Sequence, residues 1–150
     1  MEFGWINVFN GIIIGLLLIP NIYYVFKRHD TNKSQANIAS LIIIFEQIGR
    51  YACMFLMIVP LLVNKFGFNS ALELIVYLLI NGLLIIVYYC AWVKYLKNNT
   101  KKSAYILAIV PTIIFMITGL LLRHWLLFVA SIIFGVTHTY ITNKDINGLQ

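Results

Sequence analysis

Five long apolar runs, separated by short polar segments, occupy most of this 150-residue chain. They cover about residues 3–26, 38–63, 71–93, 104–122 and 125–141. The hydrocarbon core of a bilayer is about 30 Å thick, so a spanning helix needs roughly 20 mostly apolar residues. The runs lack the polar and apolar alternation of a transmembrane barrel. We therefore predict an all-α integral membrane protein: one domain, folded as a bundle of five transmembrane helices.

Composition agrees with this class, because 61% of the residues are hydrophobic and only 11% are charged. A soluble domain carries about 25% charged residues. The segments between the runs are too short to form a soluble catalytic domain. Any chemistry would therefore take place within the bilayer or at its surface.

The basic residues of the loops and tail are distributed unequally between the two sides of the predicted bundle. One side receives eight of them, namely Lys27, Arg28, Lys33, Lys94, Lys97, Lys101, Lys102 and Lys144. The other side receives Lys65 and Arg123 alone. Because basic loops stay in the cytoplasm, we predict a multi-pass protein of the cell membrane with its N-terminus outside and its C-terminus cytoplasmic.

The first apolar run, and the boundary between the fourth and fifth runs, each raise a second interpretation. No Lys or Arg precedes the first run, as a cleavable signal peptide would require, so we expect a retained helix. Only Arg123 and His124 separate the fourth run from the fifth. Two spans joined by a tight turn fit the combined length, and a re-entrant hairpin is the alternative.

The second run carries polar side chains at helical spacing. Glu46 and Arg50 are four residues apart and therefore neighbours on one helix face, and Gln47 and Tyr51 share the adjacent stripe. Ionisable groups within a bilayer usually face the bundle interior or a water-filled cavity. The Glu46–Arg50 pair is interpreted either as a neutralised structural contact or as part of a site for an ion, a proton or a polar ligand group.

Depth along the predicted helices suggests further members of such a site. Asn21, Tyr88, Thr112 and His138 fall at a depth similar to that of the Glu46–Arg50 pair, in the cytoplasmic half, and Asn81 lies near the midplane. For His138 and Tyr88, packing and an interfacial aromatic belt are the structural alternatives. The candidate ligand-binding residues are Glu46, Gln47, Arg50, Tyr51, Asn21, Asn81, Tyr88, Thr112 and His138.

Several known chemistries lack their residue patterns in this chain. There is no phosphate-binding glycine loop, HExxH motif or calcium-binding loop. Only one histidine lies within an apolar run, so a pair of axial haem ligands is not available, and no ligand cluster of Cys and His indicates zinc. We expect no cofactor, no metal and no nucleic-acid partner, and we assign no catalytic residue.

Partners other than lipid are suggested by one motif. Gly11 and Gly15 form a GxxxG pattern, which permits close approach of two transmembrane helices. The pattern is common by chance in apolar segments. Packing within the core is the leading interpretation of this face, and a homo-oligomer formed through it is the alternative.

Three functions from different classes are compatible with these features. The leading hypothesis is binding or transport of a small molecule or ion at an intramembrane site open to the cytoplasm, where Arg50 holds an anionic or carbonyl group and Glu46 balances it. The alternative is a non-catalytic subunit or interaction protein whose polar residues are structural. The third is an intramembrane enzyme in which Glu46 and His138 act as acid and base. A water-accessible chamber containing the pair would favour the first.

Overall fold

The computed structural model describes residues 7–27, 40–63 and 67–147, with only the backbone of Val25 and Lys27. These residues form five helices and no β-strand: α1 (Val8–Lys27), α2 (Ser40–Ile58), α3 (Ala71–Asn98), α4 (Lys101–Leu121) and α5 (Trp125–Asn147). The predicted all-α fold is confirmed.

The helices form a closed ring. α1 packs against α2 and α3, α4 packs against α3, and α5 joins α4 to α2. Each helix contributes side chains to a common core, among them Leu17, Met57, Tyr88, Ile114 and Phe134. We call the end where α3 and α5 finish and α4 begins the lysine-rich end, because Lys94, Lys97, Lys101, Lys102 and Lys144 lie there. The opposite end is called the far end.

The outer surface of the ring is apolar. Phe26, Leu72, Leu79 and Val136 are each between 66% and 79% exposed. α2, α3, α4 and α5 are long and apolar enough to cross a membrane, whereas α1 has a shorter apolar stretch, Val8–Tyr24. An apolar surface of this extent needs an apolar solvent, because soluble proteins do not expose contiguous patches of this size.

Some predicted helix boundaries were wrong. α2 ends at Ile58 and does not reach residue 63, because Pro60 cannot donate a helical hydrogen bond and disfavours helix in the residue before it. α5 continues to Asn147, well past the predicted end at residue 141. Residues 3–6 and 38–39 of the predicted helices lie outside the described residues.

The turn between α3 and α4 explains why both helices are longer than predicted. α3 continues through Lys97, whose charge is favourable in the last turn of a helix. Asn99 then adopts a left-handed conformation (φ 46°), and its N–H donates to Tyr95 O at 2.9 Å. Thr100 caps α4 by accepting a hydrogen bond from Ser103 N at 3.4 Å.

α4 and α5 are separate helices joined by a tight turn, as predicted. Arg123 has a left-handed conformation (φ 55°), and the N–H groups of Arg123 and His124 donate to Leu120 O and Gly119 O, which is a Schellman arrangement. His124 then caps α5, because its Nδ1 accepts a hydrogen bond from Leu127 N at 3.2 Å. The imidazole is fully buried.

We predict that His124 makes folding stability depend on pH. Burial holds the pKa of His124 below its ordinary value of about 6.5, because a charged ring is poorly solvated there. The folded protein therefore keeps the ring neutral, and this stability is present above pH 6.5 and lost as the pH falls below it. The unfolding temperature should fall between pH 7.5 and 5, and it should fall less in His124→Asn, because Asn does not become charged. Asn is chosen because it also caps helices. Equal declines in both proteins would contradict this assignment.

Candidate functional site: an intramembrane cavity at Arg50

The Glu46 carboxylate on α2 is the centre of a buried polar cluster. Its side chain is 4% exposed, and Oε1 accepts a hydrogen bond from Nη2 of Arg50 one turn later. Nδ1 of His138 on α5 lies 2.9 Å from the same oxygen. The predicted Glu46–Arg50 contact is confirmed, and the structure adds His138 to it.

A close approach of two helices brings His138 to this position. A Cβ atom on Gly49 would lie 3.1 Å from Cα of Phe134, so the glycine allows α5 to pack tightly against α2. The helices are antiparallel, and the residues one turn further toward the lysine-rich end are Glu46 and His138. These two side chains therefore meet directly beside the glycine contact.

The orientation of the His138 ring follows from its neighbours. The ring stacks on Phe134, with centroids 4.9 Å apart and planes inclined by 20°. Because Nδ1 is the ring nitrogen beside Glu46, Nε2 lies on the other side of the ring. In its neutral form with the proton on Nδ1, His138 would present Nε2 as a hydrogen-bond acceptor.

Arg50 and His138 border a small cavity within the ring of helices, which we call the Arg50 chamber. Its volume is about 100 Å³. The other side chains around it are mostly apolar and come from α1, α3, α4 and α5 as well as α2: Leu17, Leu18, Asn21, Met54, Tyr88, Leu107, Pro111, Phe115 and Phe134. The Arg50 side chain keeps 35% of its surface exposed although it is paired with Glu46.

A larger cavity of about 260 Å³ lies toward the lysine-rich end, and we call it the aromatic cavity. Asn99, Asp145 and Ile146 line it at the helix termini, so it opens at that end of the bundle. It shares four lining residues with the Arg50 chamber, namely Asn21, Tyr88, Leu107 and His138. The two spaces are therefore neighbours along one path from the lysine-rich end to Arg50.

Aromatic side chains from α1 and α3 form one wall of this path. The ring centroid of Trp92 lies 5.3 Å from that of Tyr24 and 5.9 Å from that of Tyr95, and Tyr24 and Tyr95 are 5.9 Å apart. Tyr88 continues the wall toward the Arg50 chamber, 6.3 Å from Trp92. Aromatic pairs at these separations attract one another, which makes the wall rigid.

Asn21 fixes α1 against this wall. Its Nδ2 donates to Tyr88 Oη at 2.8 Å and to Leu17 O at 2.9 Å. Tyr89 adds a second link, because its hydroxyl donates to Leu16 O at 2.9 Å. The predicted proximity of Asn21, Tyr88 and His138 is therefore observed, since all three line both cavities.

Five predicted site residues do not line either cavity: Glu46, which contacts Arg50 and His138 beside the Arg50 chamber, and four others. Gln47 and Tyr51 are exposed on the outer face of α2, with Tyr51 66% exposed, because the stripe beside Glu46 and Arg50 turns toward the lipid. Thr112 is buried between α4 and α5, donates to Ala108 O and faces Gly135. Asn81 is buried nearer the far end, where its Nδ2 donates to Tyr77 O at 2.9 Å.

Sequence reasoning missed most of the aromatic cavity. Tyr88, Trp92, Tyr95 and Asn99 follow one another at helical spacing on α3, and His138, Thr142 and Asp145 do so on α5. Such stripes mark one helix face. A search for polar and aromatic stripes passing through Tyr88 and His138 would have found both walls.

The far end of the ring is packed. The hydroxyl of Tyr77 donates to Asn10 Oδ1, and Nδ2 of Asn10 donates to Met57 O, so α1, α2 and α3 are joined there. Asn7 N donates to Ile58 O at 3.1 Å. Asn10, Met57 and Tyr77 are fully buried. The path from the lysine-rich end therefore stops short of this network.

The fold and the site define the class of protein: a helical, multi-pass membrane protein with an intramembrane polar cluster beside a cavity. In the part of the chain that the structure describes, no three His, Cys, Asp or Glu side chains are grouped as a metal site would require. Comparison with protein families, curated proteins and solved structures gives no match.

We predict that the effects of substitutions at Glu46 and Arg50 on folding stability depend on each other. Arg50→Met should lower the free energy of unfolding by up to about 3 kcal/mol, because it leaves a buried carboxylate without its guanidinium partner. Adding Glu46→Gln should recover part of that loss, since the carboxylate charge is then also removed. Thermal unfolding of the two single variants and the double variant in detergent gives the coupling energy. Strictly additive losses would show that the two residues act independently.

Proposed function

We propose that this protein binds, or binds and transports, a small organic molecule whose polar group reaches Arg50 and whose flat apolar body lies in the aromatic cavity. The observation that carries this proposal is the incomplete burial of Arg50. A guanidinium with only a structural role would be enclosed by other side chains. Here 35% of the Arg50 side chain remains exposed, and the residue borders a cavity. Arginine is well suited to hold carboxylate or carbonyl oxygens.

The size and lining of the two cavities support a small ligand. Their volumes of about 260 and 100 Å³ fall at the lower end of ligand sites, which commonly measure about 300–1,000 Å³. Such sites combine apolar and aromatic walls with a few polar groups that fix orientation. Here Tyr24, Trp92 and Tyr95 supply the wall, and Arg50 and His138 supply the polar end.

Charge around the opening favours a negatively charged or polar ligand group over a cation. Five lysines lie at the lysine-rich end of the described helices, at positions 94, 97, 101, 102 and 144. Asp145 is the acidic residue among those lining the opening. A surplus of positive charge raises the local concentration of anions and speeds their association.

We further propose that all five helices span the cell membrane, with the N-terminus outside and the lysine-rich end in the cytoplasm. The distribution of basic residues supports this orientation, because positively charged loops remain cytoplasmic. α1 supports the count of five, since it is 20 residues long and packs within the ring beside α2 and α3. The aromatic cavity would then open to the cytoplasm.

Thiol labelling tests the orientation. In a Cys53→Ala, Cys90→Ala background, Thr100→Cys places a thiol at the lysine-rich end, and Asn69→Cys places one near the far end; both positions are exposed. In intact cells a membrane-impermeant maleimide should modify Asn69→Cys and spare Thr100→Cys until the cells are opened. The reverse pattern would overturn the proposed orientation.

Ligand binding is tested by filling the aromatic cavity. Ala104 on α4 lines it, so Ala104→Trp should block it without removing a polar group. Ile106→Trp is the matched control, because Ile106 is 39% exposed and lines neither cavity. The probes are 2-naphthoate and 2-naphthamide, which share one apolar body and differ in charge. We expect them to raise the unfolding temperature of wild type and Ile106→Trp, with at least a tenfold affinity loss in Ala104→Trp.

The proposal fails if neither probe stabilises the wild-type protein. It also fails if Ala104→Trp binds the probes as tightly as Ile106→Trp does. Comparable unfolding temperatures of the two variants without probe would show that the substitution at Ala104 leaves the fold intact.

A second candidate function, association with another copy or another membrane protein, is favoured by one observation. Among the described residues, a Cβ atom at Gly11 or Gly15 would meet nothing within 4 Å, so neither glycine is required for a close helix contact there. Glycines spaced by four residues allow two helices to approach closely in a membrane. This interaction would use the outer face of α1 and is compatible with ligand binding inside the ring.

A further inference from the structure

We infer that the ligand is a weak organic monoanion, a carboxylate on a flat apolar body, and that it binds together with one proton taken up by His138. This inference rests on the proposed function and specifies its ligand and its coupling. It follows from the charges that the structure places around the Arg50 chamber and from the position of the His138 ring.

The charges already present in the chamber cancel one another. Glu46 carries one negative charge and Arg50 one positive charge, and the two are in direct contact. An anion beside Arg50 would therefore give the chamber a net negative charge. An uncompensated charge in a poorly solvated site is costly, so the anion needs one further positive charge to accompany it.

His138 is the group beside the chamber that can supply that charge by taking up one proton. Around it lie Glu46 and Arg50 from α2, Tyr88 and Tyr95 from α3, and Asn21 and Tyr24 from α1, with Asp145 two turns further along α5. The residues of α4 around the cavities are Ala104, Leu107, Ala108, Pro111 and Phe115, none of which titrates. Tyrosine, arginine and carboxyl groups ordinarily titrate far from neutrality, whereas imidazole titrates near it.

The position of the ring lets one added proton balance the charge of the ligand. Nδ1 lies 2.9 Å from Glu46 Oε1, close enough for an ion pair when the ring is protonated. A second proton, taken from water onto Nε2, would make the ring cationic and able to donate to a ligand carboxylate on the cavity side. Glu46, Arg50, protonated His138 and the ligand anion then carry no net charge together.

Counting protons by calorimetry tests this coupling. Binding of 2-naphthoate to the purified protein is measured at pH 7.5 in phosphate, HEPES and Tris, whose ionisation enthalpies differ. The dependence of the observed heat on buffer ionisation enthalpy gives the number of protons taken up, and we expect nearly one for 2-naphthoate. We expect none for 2-naphthamide. The affinity for 2-naphthoate should also fall by up to about tenfold for each pH unit above neutrality.

The variant His138→Gln identifies the proton acceptor. Glutamine can still contact Glu46 but cannot become cationic, so proton uptake should disappear, and the loss of affinity should be larger for 2-naphthoate than for 2-naphthamide. The unfolding temperature of the variant without probe shows whether it is folded. If the variant does not fold, the proton count of the wild-type protein decides the inference alone.

Two results overturn the inference and leave the proposed function in place: 2-naphthoate binding to wild type without proton uptake, and uptake that persists unchanged in a folded His138→Gln. Binding of 2-naphthamide alone also overturns it, because the site would then prefer a neutral carbonyl. If neither probe binds the wild type, the proposed function fails and the inference fails with it.

Discussion

The buried carboxylate of Glu46 is the group on which the arrangement of the helices around the site depends. A carboxylate taken out of water is tolerated only where donors or positive charges replace its hydration. Arg50 comes from the same helix, but His138 comes from α5 and reaches Glu46 only when Gly49 and Phe134 are in contact. The charge therefore favours the one packing in which α5 lies beside α2, and α5 also holds α4 in the ring.

The same cluster gives the cavity its polarity. Arg50 faces the chamber because Glu46 lies one turn away on its own helix and binds it through one guanidinium nitrogen, so part of the group remains exposed. The neighbouring aromatic cavity is lined by Trp92 and Tyr24, which are joined by ring contacts rather than by charge. A molecule with one polar end and one flat apolar end would therefore bind in a single direction, with its polar end innermost.

The sequence allowed prediction of the helical class and of the Glu46–Arg50 contact, because both depend on local periodicity. Depth along the helices also placed His138 in the same layer as Glu46, and the structure brings the two side chains together. Depth alone failed for Asn81 and Thr112, because it does not specify the direction in which a side chain points around the helix axis. That direction is set by which helices are neighbours, and the ring order depends on close contacts such as Gly49 against Phe134 that no short-range pattern encodes. The aromatic wall, by contrast, follows a local pattern, because Tyr88, Trp92 and Tyr95 recur at helical spacing on α3.

The packed far end would allow the proposed ligand to bind but would prevent it from crossing the bilayer. A ligand at Arg50 would meet fully buried Met57, Tyr77 and Ile114 before it could cross the rest of the bilayer. The Asn10 side chain ties α1 to both α2 and α3 at that level, so passage would require these hydrogen bonds to break together. Breaking several buried hydrogen bonds in a low-dielectric interior is costly unless other partners replace them. In this conformation the proposed ligand would enter from the lysine-rich end, and transport would need a second conformation in which α1 separates from α2 and α3 at the far end.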